Sequence, residues 1–160
     1  MFKLISKTIA AVAIVSVALF GSANAKTLKI ETHFTASSPN GEVAAQFAKN
    51  VEKFSGGSLK VQMFYSSSVT GKSAEVFNSA QTGIIDCDMT GAGYQTGKNA
   101  AFQFAGDVMG GYDNPYQQYE FLNFPGAQEA VDALYNKYGM TLIGWWIPGH
   151  ESLISSRPIP

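Results

Sequence analysis

The chain has 160 residues, close to half of them hydrophobic, with eleven Lys or Arg against twelve Asp or Glu. That balance offers no basic surface to nucleic acid or anionic lipid. The single Cys87 excludes an intramolecular disulfide, and two histidines far apart in sequence, His33 and His150, give no zinc-ligand spacing.

In chain order, Lys3 and Lys7 precede an apolar run from Ile9 to Phe20, and Ala23-Asn24-Ala25 has the small-x-small pattern of a cleavage site. Residues 1–25 are therefore predicted to be a signal peptide, with Lys26 starting a periplasmic product. The run is too short to span a bilayer, which takes about twenty apolar residues. No Cys follows the cut to carry a lipid, so no membrane insertion is expected after cleavage. The remaining 135 residues suit a single domain, and they carry nine basic against twelve acidic groups, a net charge of −3.

Thr27 to Thr32 reads as a strand with Leu28 and Ile30 on one face and Lys29 and Glu31 on the other. The loop His33 to Ser37 leads to Ser38 as N-cap and Pro39 as first helical residue. Val43, Phe47, Val51 and Phe54 then recur at helical spacing until Gly56. Leu59 to Tyr65 is a second strand, Ser73 to Gln81 a short helix ending at Gly83, and Ile84 to Thr90 a third strand. This β-α-β-α-β order predicts an α/β fold with a mainly parallel sheet and right-handed connections.

Further along, Gly91 to Lys98 is a flexible loop carrying Tyr94, and a short apolar helix is expected from Asn99 to Ala105. Asn114-Pro115 opens a helix rich in aromatics. Another helix from Gly126 to Tyr138 should bury Ala127, Ala130, Val131, Leu134 and Tyr138, and Gly139 closes it. Met140 to Trp146 is read as an apolar strand, Pro148-Gly149 as a break, and Glu151 to Ser156 as a last strand. The segment Arg157-Pro158-Ile159-Pro160 shows no closing helix, so a longer protein is expected.

The chemical motifs are mostly negative. Gly71-Lys72-Ser73 resembles the end of a phosphate loop, but Ser66 stands where that motif needs its first glycine. Gly91-x-Gly93 has Thr96 in place of the third glycine of a dinucleotide fingerprint, leaving a ligand loop or a plain turn. Asp86 and Asp88 are spaced to share one strand face, either as an acid pair or as a strand end meeting solvent. Cys87 then belongs to the core on the opposite face. No Gly-x-Ser-x-Gly elbow is present, and no catalytic residue, metal ligand or cofactor site is assigned.

Topology gives a positive indication. If the first and third strands are neighbours, the loops at His33 to Ser37 and Thr90 to Lys98 meet at the carboxyl ends of the sheet, where parallel sheets bind ligands. Phe34, Thr35 and Tyr94 are then ligand-contact candidates, with the alternative that Phe34 and Tyr94 only cover the sheet end. Alternation along the Trp145-Trp146 pair sends one indole to the core and the other toward a cleft, making Trp146 a candidate. His150 and Glu151 are further candidates as hydrogen-bonding groups beside the break, the alternative being a solvated hinge.

Taken in order, Leu28-Lys29-Ile30, Gly83-Ile84-Ile85-Asp86, Tyr94-x-x-Gly97-Lys98-Asn99-Ala100-Ala101-Phe102, Ala133-Leu134-Tyr135 to Gly139-Met140, and Ser156-Arg157-Pro158-Ile159 resemble the solute-binding subunit of tripartite ATP-independent periplasmic (TRAP) transporters. The match covers nearly all of the chain after the leader and is similar to the branch that takes keto acids and other organic acids. The resemblance implies a periplasmic-binding-protein-like lobe at 26–147, with 148–160 as the hinge and start of a second lobe that is largely missing. It implies an organic anion as ligand, membrane permease subunits as partners, and a carboxylate-binding arginine beyond Pro160, distinct from Arg157. It also matches Tyr94 to a ligand-contacting tyrosine and places Glu151 near a ligand-binding glutamine, a departure that favours a hydroxylated ligand or an accompanying cation. The alternatives are a receptor for an ATP-driven importer and a secreted α/β enzyme, the latter without any nucleophile, base or metal constellation.

Overall fold

The computed structural model describes residues 25–106, 108, 110–147 and 155–158. Strands β1 (Lys26–Thr32), β2 (Leu59–Phe64) and β3 (Cys87–Met89) form one sheet in the order β2-β1-β3. Both pairings are parallel, running from Lys26↔Leu59 to Glu31↔Phe64 on one side of β1 and from Ile30↔Cys87 to Thr32↔Met89 on the other. The chain therefore leaves β1 in one direction and returns past it to β3. Right-handed connections of this kind place helix α1 (Pro39–Phe54) and helix α2 (Val76–Gln81) on opposite faces.

Local chemistry explains α1. Ser38 is extended at its N-cap, its Oγ accepts the Gly41 N–H at 3.1 Å, and Pro39 opens the first turn. Gly56 and Gly57 then adopt positive φ and stop the helix. The face it buries centres on Gly41 and Ala44, whereas Val43 and Phe54 are exposed. Gly41 sits so close to the preceding turn that a Cβ there would lie 2.0 Å from the Thr35 carbonyl oxygen.

The main hydrophobic cluster lies beside the sheet. Phe77 of α2, Ala92, Phe102 and Leu134 are buried together, with Tyr135, Tyr138 and Met140 packed against them. Phe77 meets Phe102 edge to face at 5.8 Å, and Phe102 meets Tyr135 at 5.1 Å, the arrangement aromatic quadrupoles favour. These rings tie α2 to the 3₁₀ turns Ala92–Gln95 and Ala100–Ala105 and to helix α4 (Ala127–Asn136). Helix α3 (Pro115–Asn123), capped by Asn114 through the Gln117 N–H, buries only Leu122 and exposes Tyr116, Tyr119 and Phe121.

Several expectations change. The third strand is three residues long, because Ile84 and Ile85 bond back to Ser79 at the end of α2. Asp86 then uses its side chain as well as its backbone against Lys29, so the ladder starts only at Cys87. The expected helix at Asn99 to Ala105 is a 3₁₀ turn. Ala130 is exposed although Leu134 is buried as expected. Met140 to Trp146 has no sheet partner among the described residues. Its backbone is held instead by α4, with the Met140 N–H on the Tyr135 carbonyl and the Leu142 N–H on Asp132. Much of the expected strand Glu151 to Ser156 lies outside the described residues. Glu31, read from sequence only as sharing a face with Lys29, is fully buried, and the 66–71 turn sets its Val69 N–H on the Glu31 carboxylate.

Candidate functional site

β1 and β3 are hydrogen-bonded neighbours, so the loops after them meet at the carboxyl end of the sheet. β1 also becomes fully buried there: Ile30, Glu31 and Thr32 expose essentially nothing. Two polar residues buried in sequence at a strand end mark a place built for more than packing. The Phe34 N–H reaches Thr32 Oγ1 at 3.4 Å, and the Phe34 and Thr32 carbonyls accept the N–H groups of Ser66 and Ser67. Those two serines adopt left-handed backbone angles with φ of 57° and 50°, a conformation costly for residues with a Cβ.

Above this floor stands a cluster of rings. The His33 and Phe34 rings lie 3.9 Å apart, Tyr94 meets His33 edge-on at 5.3 Å, and Trp146 lies 6.3 Å from Phe34. Three residues named from sequence, Phe34, Tyr94 and Trp146, thus come together from three separate segments. Thr35 is beside them but exposed, and its carbonyl accepts from the Ser38 N–H and hydroxyl at the start of α1. His150 and Glu151 lie outside the described residues. His33 was not singled out in the sequence; its one signal there is that an ionisable ring directly follows the strand predicted to carry the site.

Trp146 has a second role. With Trp145, Ile147, Pro115, Tyr116, Tyr119 and Glu120 it lines a groove of about 590 Å³, within the size range of small-ligand sites. Tyr116 and Tyr119 of α3 therefore face a groove instead of a core, a use the helical spacing alone does not separate from burial.

The motif alternatives also resolve. At the phosphate-loop look-alike the Val69 and Thr70 N–H groups are already taken by Glu31 Oε1, at 2.6 and 3.4 Å. An incoming phosphate would find these donors occupied. Ala92–Gln95 is a 3₁₀ turn with Ala92 and Gln95 buried, which projects Tyr94 toward His33. Asp86 bonds the Lys29 N–H at 2.8 Å, while Asp88 accepts from the Thr90 hydroxyl at 2.6 Å. Burial pushes the Asp88 carboxyl up to about 6, opposed by the Thr90 hydrogen bonds and reinforced by the charge of Glu31. Burial, with the Asp88 carboxylate nearby, raises the Tyr135 phenol to about 12. Cys87 is half-buried, and burial followed by its two flanking aspartates pushes its thiol up. Among the described residues no three His, Cys, Asp or Glu side chains group to hold a metal ion.

Residues 30–160 match the family model of bacterial extracellular solute-binding proteins, family 7. The chain belongs to this family. Solved structures similar to this family-7 chain include a TRAP periplasmic solute-binding protein from Rhodobacter sphaeroides, in an apo open form. It is 26% identical, with a TM-score of 0.73 over 83% of this chain and 42% of that one. A TRAP solute-binding protein from Colwellia psychrerythraea with bound calcium and pyruvate is 24% identical, with a TM-score of 0.64 over 72% of this chain and 35% of that one. One from Bordetella bronchiseptica, with copurified calcium and picolinate, is 21% identical, with a TM-score of 0.64 over 71% and 34%. The chain thus spans well under half the length of these structures. Comparison with curated proteins found no match. The described part is a parallel sheet flanked by helices, a lobe of the periplasmic-binding-protein kind. No helix among the described residues is long and apolar enough to cross a membrane.

Proposed function

We propose that this family-7 chain is the first lobe of an extracytoplasmic receptor that binds an organic acid and delivers it to the membrane permease of a TRAP transporter. The observation that carries this is the meeting of His33, Phe34, Tyr94 and Trp146 where β1 and β3 end side by side. Phe34, Tyr94 and Trp146 supply flat apolar walls for a small acid, and His33 an ionisable ring. Thr35, His150 and Glu151 complete the proposed contacts. Residues 1–25 act as the export signal, 26–147 as the lobe, and 148–160 as hinge and start of a second lobe that closes over the ligand. The protein's work is binding, with no chemical step. Support for an acid as ligand comes from the pyruvate and picolinate bound by two of the similar proteins.

Calorimetry of the whole protein against keto acids, aromatic carboxylates, dicarboxylates and sugar acids tests this. Saturable heat is expected from at least one class, and heat from none removes the organic-acid assignment.

A further inference from the structure

Glu31 and Asp88 stand opposite each other in the β1–β3 register and therefore point to the same side of the sheet. Glu31 is fully buried. Its Oε1 accepts the Val69 and Thr70 N–H groups, while its Oε2 is buried with no hydrogen-bond partner among the described residues. A bare carboxylate oxygen in the interior is costly, and a second ionised carboxylate beside it makes matters worse. One proton placed between the two groups removes the repulsion and gives Oε2 a donor.

We propose that Glu31 and Asp88 share one proton, with Asp88 donating to Glu31 Oε2, and that this pair fastens the two loops framing the ring crevice. Glu31 holds the 66–71 turn, whose Ser66 and Ser67 N–H groups bond the carbonyls of Phe34 and Thr32. Asp88 holds Thr90, from which the turn bearing Tyr94 departs. Loss of the proton to solvent leaves two buried anions and slackens both loops together.

The other ionisable groups acting on β3 are Lys26 from β1, Asp86 just before β3, Cys87 on β3 itself, and Tyr135 from α4. Lys29 touches this end through its backbone, which bonds Asp86. Helix α2, which packs on β3, brings no charged residue. His33 follows two residues after Glu31, in the ring cluster above. Asp88 thus has Glu31 as its paired carboxylate; its raised affinity for a proton comes first from burial, with the charge of Glu31 adding to it.

Carboxyl ¹³C NMR titration of the chain, with amide exchange of Val69, tests the pair without any ligand. Its failure is therefore distinct from failure of the transport assignment. Asp88 is expected to titrate near 6, against about 3.9 for an ordinary Asp. Val69 exchange, corrected for its intrinsic rate, should quicken about tenfold between about pH 5 and about pH 8. In Glu31→Gln, Asp88 should titrate lower than in the unaltered chain but stay above the ordinary range, because burial is the larger cause of its rise. Asp88→Asn keeps a donor beside Oε2 and should hold Val69 equally protected at both pH values. Ordinary titration of Asp88 in the unaltered chain overturns the proposal, as does wild-type pH dependence of Val69 in Asp88→Asn. Where a variant fails to fold, the titration of the unaltered chain decides.

Discussion

Asp88 is a carboxyl whose environment sets a direction for stability against pH. Its folded value, about 6, lies above the ordinary 3.8, so the folded chain holds this proton more tightly than the unfolded one. The resulting stabilisation is complete below about pH 3.8 and is lost as pH rises through about 6, a swing of about 3 kcal/mol. Asp88→Asn should therefore flatten the fall in melting temperature across that window. An unchanged slope in thermal melts at a series of pH values would place the titrating group elsewhere. Gly41 makes a steric counterpart to this electrostatic case. Because its missing Cβ would overlap the Thr35 carbonyl, Gly41→Ala forces backbone to move, and urea unfolding should show a loss of about 1–3 kcal/mol. Substitution of Gly57, where nothing lies within 4 Å, meets no such obstacle of space, only its positive φ.

Among the elements, the aromatic cluster joins α2, the 3₁₀ turns and α4. Phe102 touches Phe77, Tyr135 and Tyr138, and truncating it to Ala should cost about 3–5 kcal/mol in chemical unfolding. Phe104, two residues on and largely exposed, should cost less than about 0.5 kcal/mol when changed the same way. Equal losses at the two positions would mean that the cluster is not the core. Elements with local causes were legible in the sequence: Ser38 with Pro39, and Asn114 with Pro115, announce α1 and α3 because caps act within three residues. Elements whose limits depend on distant partners were not. The length of β3 is decided by Asp86 reaching Lys29 across the sheet, and Met140 to Trp146 has no sheet partner among the described residues, its backbone being held by α4. Alternation assigned Glu31 a face but not its burial, since period-two patterning knows nothing of a turn 38 residues away that needs its carboxylate.

At the scale of the whole molecule, strand order decides where the crevice lies. With β1 in the centre and the connections leaving it in opposite directions, loops separated by some sixty residues converge on one sheet end, bringing Tyr94 to His33 and Trp146 to Phe34. Phe34 and Tyr94 were candidates from sequence once that topology was assumed, and Trp146 was named from alternation along a strand that does not form among the described residues; His33 was not named, because a lone histidine after a strand carries no pattern. The groove beside α3 continues from Trp146, so ring cluster and groove share a wall. If this end of the sheet is the receptor's binding face, its rings must contribute affinity in the whole protein while exposed aromatics elsewhere do not. Phe54, at the far end of α1, serves as the comparison. The decisive measurement is calorimetric affinity for the best-bound organic acid in the whole protein, its Tyr94→Ala variant and its Phe54→Ala variant. The account predicts a loss of about tenfold or more for Tyr94→Ala and an unchanged value for Phe54→Ala. Equal affinity in all three proteins would contradict it.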